Sequence, residues 1–62
     1  MTQFKRTINK KTNNTTYYVD GKRVSEGNFG IKEVICRAAG MRYNCSYTTS
    51  DNNYIRHYHS YN

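Results

Sequence analysis

The residues in this chain with chemistry to offer are few. His57 and His59 stand two apart in "YIRHYHSY". On a strand that spacing puts both rings on one side, and with Cys45 they would supply three zinc ligands. The spacing fits no common finger pattern. A strand histidine can also serve as general base in an RNA-cleaving site, but no second acid, base or oxyanion donor stands beside it in sequence. Ordinary surface or half-buried histidines are the simpler reading. Cys36 and Cys45 form no C-x-x-C pair and read as inert, reduced thiols. The four carboxylates, Asp20, Glu26, Glu33 and Asp51, are scattered and build neither an acid–base pair nor a magnesium site. "EGNFG" lacks the lysine of a phosphate loop. No catalytic residue, metal or cofactor is assigned, and a non-enzymatic protein is expected.

The cations and tyrosines carry more. Lys5, Arg6, Lys10 and Lys11 crowd the first segment, and Lys22, Arg23, Arg42 and Arg56 follow on or beside later ones. Tyr18, Tyr54 and Tyr58 interleave with them. Cations for phosphates and rings for bases are what single-strand and RNA binders combine on a sheet. The bland counterpart is a solvated face with Arg–Tyr stacking across strands.

Charge points the same way. The formal net charge is +6 over 62 residues, with a pI near 9.6. Nucleic acid, or an acidic host protein, is the expected partner. No apolar run is long enough to span a membrane, and "MTQFKRTINKK" lacks the apolar stretch of a secretory signal, so a cytoplasmic location is expected. The abundance of Asn, Lys, Tyr and Ile, all with AT-rich codons, suggests a bacteriophage or other virus.

These side chains need a scaffold, and the chain has little with which to build one. Apolar residues make up 35%, with no leucine, tryptophan or proline and with seven tyrosines. A chain this short buries only about 60% of its unfolded surface. One domain over residues 1–62 is expected, ordered from about 3 to 61, with a thin tyrosine-rich core that invites help from an oligomer, a homodimer for instance, or from a partner. The last residues are expected to fray.

Phe4 to Lys11 alternates as a strand, and "NKKTNN" bends. "YYVDGKRV" is a hairpin signal: Asp20-Gly21 suits a type I′ turn, pairing Val19 with Lys22, Tyr18 with Arg23 and Tyr17 with Val24. Tyr17, Val19 and Val24 would face inward, Tyr18 and Arg23 outward. A helix follows, capped by Ser25 or Asn28 and closed by Gly40. Ile31, Val34, Ile35 and Ala38 form the apolar stripe that should meet the sheet, with Glu33 and Arg37 as an i,i+4 pair turned away from it. Met41, Tyr43, Cys45 and Tyr47 alternate as one face of a half-buried strand, "TTSDNN" turns, and "YIRHYHSY" alternates with its inward side undecided. The prediction is an α+β fold in ββαββ order: an antiparallel sheet of about four strands with one helix packed on one face.

The stretch "YYVDGKRVSEGNF" resembles a short segment that recurs in phage and large-virus proteins. The order of hairpin and helix also resembles the three-stranded DNA-binding domain of tyrosine integrases, which implies strands entering a major groove. The leading functional expectation is a viral accessory protein that binds RNA or DNA through its Lys/Arg/Tyr face. The alternative is a virus-encoded inhibitor that docks on a host or defence protein. A small His-dependent ribonuclease or toxin is the third.

Overall fold

The computed structural model describes residues 1–62. Three strands precede the helix: β1 (Thr2–Asn9), β2 (Thr15–Val19) and β3 (Lys22–Val24). The helix α1 (Glu26–Ala38) leads into β4 (Tyr43–Ser50) and β5 (Tyr54–Tyr61). The sheet is antiparallel with strand order β3-β2-β1-β5-β4. It therefore has five strands rather than about four. The first segment is a full strand that pairs with both β2 and β5 and takes the centre of the sheet.

Local chemistry explains the connections. Asp20 and Gly21 both take positive φ, 51° and 81°, as a type I′ turn requires, and β2 and β3 pair in the expected register. Asp20 also docks this turn on β1, its Oδ1 accepting from the Gln3 N–H at 2.9 Å. The β1–β2 loop is an Asx turn: Asn9 Oδ1 accepts from the N–H groups of Lys11 and Thr12, and Asn13 takes the left-handed conformation at φ 60°. Ser25 caps α1, its Oγ accepting from the Asn28 N–H at 3.1 Å. The helix closes in a Schellman motif, with Gly40 at φ 75° and the Met41 N–H bonded to the Cys36 carbonyl.

The helix lies on the opposite side from the one its periodicity suggests. Cys36 is buried and Phe29 packs on the core of Phe4, Val19 and Tyr61, with Val24 and Met41 around them. Ile31, Val34 and Ile35 are 55–61% exposed. The stripe expected in the core faces outward because the aromatic side does more: Phe29 meets Phe4 edge-on at 5.2 Å and Tyr17 at 5.0 Å, contacts worth more than area alone. Tyr17, Val19 and Val24 face the helix as expected, in register with Phe4 and Arg6 of β1. The C-terminal residues are tied into the fold. Tyr61 is 2% exposed, and Asn62 exchanges two backbone bonds with Arg42 at 2.8 and 2.9 Å. No helix is long and apolar enough to cross a membrane.

Candidate nucleic-acid interface

Strand alternation and the observed registers sort every side chain of the sheet onto one of two faces. On β5, Ile55, His57, His59 and Tyr61 share the helix side, whereas Tyr54, Arg56 and Tyr58 look out from the uncovered side. Lys5 sits between Tyr18 of β2 and Tyr58 of β5. Tyr18 in turn pairs with Arg23, and Tyr58 with Tyr47. One row thus crosses the open face: Arg23, Tyr18, Lys5, Tyr58, Tyr47. Four strand spacings of about 4.8 Å make it about 19 Å long.

Contacts within the row are close. Lys5 Nζ stands 4.4 Å from the centre of the Tyr18 ring, and Tyr47 and Tyr58 stack at 4.6 Å with 14° between their planes. Neither Lys5 nor Arg23 is in an ion pair. Beside the row lie Tyr54 and Arg56, the guanidinium 5.1 Å from the ring centre. Two shallow depressions flank Lys5 and Tyr18, of about 450 and 760 Å³.

Asp51 is the acidic neighbour of this face. Its Oδ2 accepts from Arg56 at 2.9 Å, and its Oδ1 accepts from the N–H groups of Asn53 and Tyr54. These bonds, the Arg56 one foremost, hold the Asp51 carboxyl down at about 2 and push the Arg56 guanidinium up. Arg56 is therefore a partly neutralised cation, and Lys5 and Arg23 are the free ones.

The structure divides the expected binding residues. Lys5, Tyr18, Arg23, Tyr54, Arg56 and Tyr58 converge on the open face. Lys10 and Lys11 lie in the β1–β2 loop at its edge, Lys10 Nζ donating to the Asp51 carbonyl at 2.6 Å. Arg6 and Lys22 register with residues of the helix side, Arg6 opposite His57 and Lys22 opposite Val19. Arg42 lies in the connection to β4. Tyr47 joins the face unexpectedly. A bulge between Tyr43 and Cys45 shifts the β4 register, so Tyr43 stacks on His59 on the helix side while Cys45 and Tyr47 fall on the open one. Nothing in the sequence marks that bulge.

The same sorting dissolves the zinc constellation. His57 and His59 are on the helix side and Cys45 is on the open side. No group of three or more His, Cys, Asp or Glu side chains converges. His57 Nδ1 is 3.0 Å from Thr48 Oγ1. Glu33 is engaged at both oxygens, Oε1 with Arg37 and Oε2 with His59, which makes it a tether between helix and sheet. Arg37 continues that tether by donating from Nε to the Tyr61 hydroxyl at 3.1 Å.

No family model, curated protein sequence or solved structure matches this chain.

Proposed function

We propose that the protein is a small accessory protein, viral in type, that binds single-stranded nucleic acid on the open face of its sheet. One observation carries this reading: the row Arg23, Tyr18, Lys5, Tyr58 and Tyr47, which sets two unpaired cations among three rings across the five strands. Rings presented on a sheet stack unpaired bases whatever their identity, and cations between them meet the phosphates. A duplex hides its bases from such rings, so single strands are preferred. The net charge of +6 brings anionic polymers to the surface.

Fluorescence anisotropy with labelled single-stranded RNA, single-stranded DNA and duplex of equal length tests the proposal. Binding should favour the single strands and weaken with salt, with a log–log slope of roughly −2 for about three phosphates neutralised. No binding at low salt, or a preference for duplex, overturns it.

A further inference from the structure

Three of the seven isoleucine and valine residues, Ile31, Val34 and Ile35, are spent on the exposed side of α1. A second feature stands beside them. Gly27 lies in the first turn of the helix and Gly30 inside it, where glycine is the least favourable residue after proline. Nothing within the chain requires them: a Cβ built at either position meets no atom within 4 Å. The glycines and the three aliphatic side chains form an open depression of about 470 Å³ that only Glu26 borders with a charge. Ridge and groove run side by side on one helix face.

We propose that this face is the interface of a homodimer formed by two α1 helices packed antiparallel. A two-fold contact must be self-complementary, and this face is. At about 100° per residue, Val34 points within about 10° of the direction midway between Gly27 and Gly30. Reversal of the helix about Ile31 therefore drops Val34 of each copy into the Gly27–Gly30 groove of the other. The two Ile31 side chains meet at the axis. Glu26 and Arg37 lie on one flank, about 20° apart, and reversal brings Arg37 of each copy, which also holds Glu33 and Tyr61 of its own chain, to the height of Glu26 of the other. The opposed helix dipoles are favourable as well. The absent Cβ atoms let the two backbones approach closely. An interface of one helix pair falls below about 1,200 Å², so a weak dimer is expected. The dimer turns both open sheet faces outward. That consequence bears on the nucleic-acid reading, but the dimer does not depend on it.

Sedimentation velocity from micromolar to millimolar protein, at physiological salt and without nucleic acid, tests the proposal. The weight-average mass should rise from 7.3 kDa towards twice that value. Val34→Lys should hold the protein monomeric throughout with an unchanged circular-dichroism melt at low concentration. Gly30→Ala should raise the low-concentration melting temperature, by better helix propensity, yet weaken association by filling the groove. Glu26→Arg, which would set an arginine of each copy beside Arg37 of the other, should weaken association with an unchanged low-concentration melt. Within one chain residues 26 and 37 are about 16 Å apart along the helix, so a loss of association from Glu26→Arg without a change in that melt reports a contact between copies. A wild-type mass that stays at that of the monomer at millimolar concentration overturns the proposal, as does a dimer indifferent to Val34→Lys and Gly30→Ala. Association of wild type only with some other protein assigns the face to that partner and also overturns it.

Discussion

Glu33 Oε2 lies 2.5 Å from His59 Nε2, between the helix and the central strands. The His59 ring stacks on Phe4 at 5.0 Å and on Tyr43 at 5.7 Å, and Phe29 and Tyr61 present their rings to it edge-on. Both side chains are largely covered, at 24% and 18% exposure. A partly buried hydrogen bond in that setting contributes more than a surface pair does. Glu33→Ala should destabilise the fold by about 1–3 kcal/mol. His59→Phe, which keeps the stack and loses the bond, should cost less than His59→Ala, which loses both. Chemical denaturation checks the order. Equal losses for the two His59 variants would remove the stack from the account.

The orientation of α1 makes a prediction with opposite outcomes for two side chains of similar size. Phe4 is 1% exposed at the centre of the aromatic cluster, and Phe4→Ala should cost about 3–5 kcal/mol. Ile35 is 55% exposed, and Ile35→Ala at low concentration should change stability by no more than about 0.5 kcal/mol. Thermal melts of the dilute protein decide it. A multi-kcal loss at Ile35 would put the stripe back in the core.

Asp51 should titrate at about 2 rather than at its ordinary 3.8. Its folded-state pKa is depressed, so its stabilising contribution is complete above about 4 and fades as pH falls through the folded value. Carboxyl chemical shifts followed by NMR between neutral and strongly acidic pH check the midpoint. Arg56→Ala should move it part of the way back, because the N–H groups of Asn53 and Tyr54 remain.

The two thiols should separate by access. Cys36 is 4% exposed and inside the core, and Cys45 is exposed on β4. An aromatic disulfide reagent should react quickly with one thiol in the native protein and with both in denaturant. Cys45→Ser should abolish the fast phase, and Cys36→Ser should leave it intact.

What could be read beforehand divides by the range of the signal. The type I′ turn, the Ser25 cap and the Gly40 stop are local chemistry, and each stands where its residues placed it. The hairpin register followed from the turn, so Tyr18 opposite Arg23 was legible too. The position of β1 was not, because central or edge placement is decided by pairing with β5 about fifty residues away. Helix orientation is hidden from the sequence for a related reason. The aliphatic stripe has the cleaner period, but the sheet offers aromatic partners, Phe4 and Tyr17, that Phe29 meets from the other side. The candidate binding row was half legible. Tyr18 and Arg23 came from the turn, whereas Lys5, Tyr58 and Tyr47 joined them only through long-range registers and a bulge.

The last prediction separates a binding face from mere charge. Lys5 and Arg23 lie in the open row, and Arg6 and Lys22 lie on the helix side of the same strands. Each of the four, changed to alanine, removes one positive charge from a chain of net charge +6. If the open face binds single strands, Lys5→Ala and Arg23→Ala should each weaken binding across unrelated sequences and reduce the phosphate count in the salt dependence by about one. Arg6→Ala and Lys22→Ala should leave that count nearly unchanged. Arg56→Ala should fall between, since Asp51 already holds that guanidinium at 2.9 Å. Tyr18→Ala should cost about 1–3 kcal/mol on single strands through lost stacking, and less on duplex. Tyr47→Ala should act in the same direction, because Tyr47 stacks on Tyr58 at the far end of the row. Anisotropy titrations over a salt series measure all of these. Equal losses from the four cation changes would make the attraction a property of net charge alone, and the row would then have no part in recognition.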